Sequence, residues 1–224
     1  MATAMSKTRT HRLLAGLGLS AAVLVGLSAV AAAQDASAVS PQALKAKLDY
    51  CEVCHGISGR GFVGYYPIPR LAGQQVEYFE NQLKGFVEHK RANVASPTPT
   101  NVMFQVGHVL SPAMIRAIAT SFHDLNPKPL GGASKDKVGD GKKIYDNGIE
   151  SANVPACGSC HGTKGEGNGP FPRLAGQLYP YVVRQLMNWS HERQEENSDV
   201  MAPIAHGLSE SQIEAVAAYV SQLE

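Results

Sequence analysis

The chain has 224 residues, four cysteines and a formal charge of +1 at pH 7. No basic stripe runs through it, which leaves nucleic acid without support as a partner. Aromatics and Val/Ile runs are sparse while Ala, Gln and Leu are frequent, which favours helices and loops over sheet.

The first 33 residues read as a targeting signal. Lys7, Arg9 and Arg12 make a positive start, Leu13 to Val30 is almost wholly apolar or small, and Ala31-Ala32-Ala33 before Gln34 fits a small-residue cleavage site. The run is long enough for a retained membrane anchor. Its richness in Ala and Gly, and the small-residue site that ends it, favour cleavage. Either way the rest of the chain is expected outside the cytoplasmic membrane, in the periplasm, with peripheral membrane association left open. Removing residues 1–33 takes away three basic and no acidic side chains, so the formal charge falls from +1 to −2. The remaining stretch of about 190 residues suits two small domains.

Ser40-Pro41 is a good N-cap and first position for a helix that runs straight into Cys51. Gln75 to Glu88 is helical in composition. Ser111-Pro112 opens another helix, whose apolar face is Ile115, Ile118, Ala119 and Phe122. Asn126 to Ser134 holds two prolines and two glycines and cannot continue a helix. This divides the chain into a leader of residues 1–33, a first domain of 34–127 and a second of 128–224. In the second domain, helices are expected over Asp140–Asp146 and Leu178–Glu192. A last one follows Ser209, where Ser209 and Gln212 suit a capping box and Ile213, Val216, Ala217 and Val220 form the apolar face.

The two halves repeat one another. Cys51-Glu52-Val53-Cys54-His55 recurs, 106 residues on, as Cys157-Gly158-Ser159-Cys160-His161. Pro69-Arg70-Leu71-Ala72-Gly73-Gln74 recurs as Pro172-Arg173-Leu174-Ala175-Gly176-Gln177. Tyr78 matches Tyr181, Gln82-Leu83 matches Gln185-Leu186, Val102-Met103 matches Val200-Met201, and His108 matches His206. The offset falls from 106 to 103 to 98 along the chain, so the first half carries insertions. They fall within 59–67 and 94–101, both rich in turn formers.

Two thiols three positions apart suit addition to the two vinyl groups of one haem, and the adjoining imidazole suits its iron. Two such motifs that use every cysteine point to two covalent c-type haems, held through Cys51 and Cys54 and through Cys157 and Cys160, with His55 and His161 as iron ligands. A zinc site shared between the pairs is disfavoured, because each pair sits within its own repeat. A thioredoxin-like pair needs no following His and belongs near a βαβ pattern, which is absent. Met103 and Met201, at matched positions before the last helix of each half, are the candidate opposite ligands. A thioether opposite His favours ferrous iron. His108 and His206, also matched, give bis-His ligation as the alternative. Pro69 and Pro172 are expected to bring a backbone carbonyl to the ligating imidazole. Arg70 and Arg173 suit haem propionates, since guanidinium pairs with carboxylate in a fork.

With its paired Cys-x-x-Cys-His-Gly, Pro-Arg-Leu-Ala-Gly-Gln and Met-x6-Leu-Ser segments, the sequence resembles cytochrome c4, the bacterial dihaem cytochrome c. The resemblance covers nearly all of the chain after the leader. It implies an all-α fold of two tandem class I cytochrome c domains, each around one covalent haem. It also implies His/Met ligation of both irons and periplasmic electron transport in a respiratory chain. Redox proteins are the implied partners: a terminal oxidase, a quinol-oxidising complex or a dehydrogenase. The chain departs from the family pattern in its first half, which lacks the spacer that Asn147–Ala156 provides in the second and carries an unusual Gly59–Tyr66 loop. The expected role is electron carriage rather than catalysis. The alternative is an electron-transfer subunit of a periplasmic dehydrogenase such as flavocytochrome c sulfide dehydrogenase.

Overall fold

Ser40 accepts a hydrogen bond from Ala43 N at 3.2 Å, and with Pro41 in the first turn it starts helix α1, Pro41–His55. A computed structural model of the chain describes residues 39–91, 101–193 and 198–224. The leader of residues 1–33, the first residues of the 34–127 domain and most of the 94–101 insertion lie outside the described residues. Val39–Glu224 make one compact unit. Among the described residues the structure is helical, with three isolated bridges in place of any strand.

Helix α1 passes through the first Cys-x-x-Cys-His motif without interruption. Helices α2 (Val76–Val87), α3 (Val102–His108) and α4 (Pro112–His123) complete the first half. Their apolar faces meet in a core of Phe79, Leu83, Phe86, Ile118, Ala119 and Phe122, with Phe79 and Phe122 stacked at 6.1 Å between centroids. Ile115, the fourth member of the expected α4 stripe, packs against this core half-buried.

The second half is cut into more pieces. Helix α5 (Val138–Asn147) ends at Gly148, and an irregular stretch containing the Ile149–Val154 bridge leads to α6 (Gly158–His161), a single turn carrying the second motif. The spacer is therefore real, and it separates helix from haem motif only in this half. The expected helix over Leu178–Glu192 is two helices, α7 (Tyr179–Met187) and α8 (Trp189–Glu192). The break falls at Asn188 (φ −114°, ψ 20°), whose backbone N–H and side-chain amide both donate to Arg184 O, at 3.1 and 3.0 Å. Helices α9 (Ser198–His206) and α10 (Glu210–Val220) follow, and the Ser209/Gln212 capping box forms in full. The cores here are Tyr145, Val182, Val216, Ala217 and Val220, and Val154, Leu208 and Ile213.

Helix α5 meets α10 backbone to backbone. A Cβ at Gly141 would fall 1.9 Å from Ala215 O, so only glycine permits the crossing. Gly141→Ala is therefore expected to destabilise the protein by about 1–3 kcal/mol, in the range of core overpacking. The check is the denaturant midpoint of the haem-loaded protein, and an unchanged midpoint contradicts this account of the crossing.

The first-half insertion within 59–67 is a hairpin tip. Phe62 bridges Ile68 in the first half where Asn168 bridges Phe171 in the second. The extra residues carry Tyr65, which is 95% exposed, and Tyr66, whose ring lies 5.6 Å from the Arg184 guanidinium of α7.

Candidate haem sites

Each motif histidine ends a helix because a glycine follows it. Gly56 and Gly162 have φ of 75° and 81°, a left-handed turn that lets the chain fold back over the imidazole. A Cβ at Gly56 would come 2.6 Å from Gly61 O. His55 and His161 are each 7% exposed. Their Nδ1 atoms lie 2.8 Å from Pro69 O and 2.9 Å from Pro172 O. A carbonyl only accepts, so the ring proton sits on Nδ1 and the lone pair on Nε2. Burial holds both imidazoles below the usual histidine range despite the opposing pull of the carbonyls. The result is a neutral, oriented nitrogen donor, the state a metal needs. In the second half the buried Tyr145 fixes the turn further, its hydroxyl donating to Gly162 O at 2.6 Å.

All four cysteines are free thiols. Spacing of three on a helix puts each pair on one side. The inner members, Cys51 and Cys157, are half-buried against the two cores, and burial pushes both thiols up to about 11. Cys54 and Cys160 are exposed. In the second half, Cys157, Cys160, His161 and Met201 line one cavity of about 270 Å³, walled by apolar side chains such as Leu174, Leu186 and Val216. Two thiols, a neutral imidazole and a thioether around one apolar cavity form a donor set that fits a covalent haem. In the first half, Met103 packs half-buried against the core that also receives Cys51. Both methionines ride on short helices, α3 and α9, which periodicity did not reveal in such brief segments. His108 is exposed and stacked on Phe104 at 5.6 Å, and His206 is exposed with Nε2 2.8 Å from Ser190 Oγ.

Arg70 and Arg173 stand at the junction of the halves. Arg70 is 4% exposed and donates to Ala72 O (3.1 Å), Pro127 O (2.7 Å) and Asn126 Oδ1 (2.9 Å). Its guanidinium is pushed down to about 10, by burial first and then by Arg173 and Arg60. Arg173 donates to Ala175 O at 3.2 Å and Asn126 Oδ1 at 3.3 Å. These bonds tie both arginines to backbone and linker, and Arg173 also lines the cavity of Cys157, Cys160, His161 and Met201. Beside them the two halves clasp one another. Gln177 accepts from Arg70 N (2.8 Å) and donates to Arg70 O (3.0 Å), and Gln74 does the same with Arg173 N (2.8 Å) and O (3.2 Å). Each Pro-Arg-Leu-Ala-Gly-Gln segment thus closes on the other through matched residues. Sequence reading also passes over Arg91 and Arg193, both almost fully buried. They lie 102 apart where the nearest matched pairs lie 103 apart, one residue out of register.

Residues 138–224 match the family model described as cytochrome c. Over 207 residues the chain is 40% identical to cytochrome c-552 of Acidithiobacillus ferridurans, covering 91% of this chain and 85% of that one. The solved cytochrome c4 of Acidithiobacillus ferrooxidans superposes with a TM-score of 0.68 at 38% identity, over 78% of this chain and 99% of that one. The chain belongs to the cytochrome c4 family. A thiosulfate dehydrogenase electron acceptor of Stutzerimonas stutzeri is 31% identical over 177 residues, 77% of this chain and 78% of that one. As a cytochrome c4 relative, the chain has two class I cytochrome c domains and covalent haem c, and it is an electron-transfer protein rather than an enzyme.

Proposed function

We propose that the chain carries electrons between periplasmic redox proteins through two haems, one held by Cys51 and Cys54 and ligated by His55 and Met103, the other held by Cys157 and Cys160 and ligated by His161 and Met201. The observation that carries this reading is the cavity that gathers Cys157, Cys160, His161 and Met201, with the His161 proton committed to Pro172 O. The haem supplies one-electron chemistry at its iron; the protein orients the ligands and excludes water. The division at 127/128 places one haem in each domain. Among the described residues no single helix is long and apolar enough to cross a membrane. Export rests on the leader of residues 1–33, whose sequence has the charge and apolar run of a secretory signal.

The rims of the two motifs differ. Val53 and Ile57, 80% and 79% exposed, flank Cys54, whereas the matched positions beside Cys160 are Ser159 and Thr163. An apolar rim and a polar rim suit a carrier whose donor and acceptor meet different ends. A terminal oxidase is the proposed acceptor. The similarity to a thiosulfate dehydrogenase electron acceptor favours a second reading, in which a thiosulfate-oxidising dehydrogenase is the donor. The two readings are compatible.

The test is kinetic. Reduced protein should be oxidised by membranes containing a haem–copper oxidase. Oxidised protein should be reduced by a thiosulfate dehydrogenase with thiosulfate, and not by thiosulfate alone. Turnover of thiosulfate or peroxide by the isolated chain at enzymatic rates, about 1–1,000 per second, contradicts the carrier reading.

A further inference from the structure

Two buried arginines cross the junction between the halves in the same way. Arg193 is 6% exposed and lines the cavity that holds Cys157, Cys160, His161 and Met201. Its Nη1 donates to Gln82 Oε1 at 2.6 Å and to the Tyr78 hydroxyl at 3.3 Å, both on α2 of the first half. Its Nε donates to Gln185 Oε1 at 2.9 Å, and the guanidinium lies 4.8 Å from the Trp189 ring centroid. Tyr78 and Gln82 themselves line this second-half cavity. Arg91, 7% exposed, mirrors the arrangement. Its Nη2 donates to the Tyr181 hydroxyl of α7 at 2.7 Å, and it lies 4.5 Å from the centroid of Phe86 in its own half. Tyr78 and Tyr181 occupy matched positions of the repeat.

We propose that Arg91 and Arg193 are the cations facing the haem carboxylates, each held in place by a tyrosine of the opposite half, so that each domain helps set the redox potential of the other domain's haem. An arginine stays charged when buried, and its planar fork suits a carboxylate. A haem brings two propionate carboxylates into a mostly apolar cavity whose lining includes the guanidinium residues Arg193 and Arg173. A guanidinium there disfavours the additional positive charge of ferric iron, which raises the potential. Tyr78 and Tyr181 are positioning residues in this scheme. Each fixes one nitrogen of the opposite half's guanidinium while the arginine's own half supplies an aromatic face. The inference rests on the two-haem reading and fails in a different way. Loss of the two-haem reading shows as missing covalent haem, whereas loss of this one leaves two haems whose potentials ignore the crossed tyrosines.

The experiment is potentiometric titration of the full haem-loaded protein, with the two haems followed separately by their hyperfine-shifted methyl NMR resonances. Tyr78→Phe should raise the ferric-to-ferrous ratio of the His161 haem about threefold at fixed potential and leave the His55 haem unchanged. Arg193→Gln should raise it about tenfold, which is 59 mV for one electron. Arg193→Lys, which keeps the charge, should stay within threefold of the unmodified protein even if Arg193→Gln fails to assemble. Tyr181→Phe and Arg91→Gln should give the mirror result on the His55 haem. In an Arg193→Gln background, Tyr78→Phe should add nothing, because its effect acts through that guanidinium. The proposal is overturned if both haems are present and neither tyrosine variant moves a potential, if each moves only its own half's haem, or if the Tyr78→Phe shift persists without Arg193.

Discussion

Replacing Cys157 and Cys160 with Ala is expected to halve the covalent haem and to loosen the second half while the first survives. The two cores are separate: Phe79, Leu83, Phe86 and Phe122 close the first without help from the second, and Val182, Val216 and Val220 belong wholly to the other. Without its thiols the second cavity has nothing to retain haem through extraction. Its apolar walls, Leu174, Leu186 and Val216 among them, would then surround water or collapse. The measurement is a pyridine haemochrome assay on acid-acetone-extracted protein, paired with thermal unfolding. One haem per chain in the variant and two in the unmodified protein is the expected outcome. One haem in the unmodified protein, or two in the variant, refutes the assignment of Cys157 and Cys160.

Met103→His is expected to lower the potential of the His55 haem by a large part of the roughly 0.8 V range that axial ligands command. Exchanging a thioether for an imidazole removes the preference for ferrous iron. Met103 sits on α3 against the first core and Met201 on α9 in the second cavity, so the two substitutions act on different sites. The His161 haem should therefore stay nearly where it was. Met201→Ala should abolish the weak far-red sulfur-to-iron band of that haem while the His55 haem keeps its own. If the band is missing from the oxidised unmodified protein, or if Met201→Ala leaves the spectrum unchanged, methionine ligation in that domain is wrong. His108 and His206 make poor substitutes, since both are exposed and engaged with Phe104 and Ser190.

Much of the architecture was legible because its determinants are local. Ser40, Ser111 and Ser209 cap helices where the sequence put them, since a cap depends on neighbours three positions away. The hairpin-tip insertion in the first half showed as a shift in repeat offset, and the spacer of the second half as a departure from the family pattern. The miss at Asn188 came from composition. Leu178–Glu192 has helix-forming residues on both sides of a side chain that bonds backward to Arg184 O. The methionine helices α3 and α9 were missed because seven and nine residues are too few to show a period.

By itself the sequence determined that the chain is a tandem repeat of helical units, each with two thiols, an imidazole, a turn-forming glycine and a methionine in fixed order. Those features rest on covalent chemistry and on spacings within a few residues, which the chain carries regardless of how it packs. Only the tertiary structure decided what joins the repeats. The Gln74 and Gln177 clasp and the crossing of Arg91 to Tyr181 and Arg193 to Tyr78 pair groups 90 to 115 residues apart. No periodicity encodes which polar side chain of one domain will be buried against the other. A buried donor takes the acceptor that docking brings to it, and docking is settled by the fit of two assembled domains.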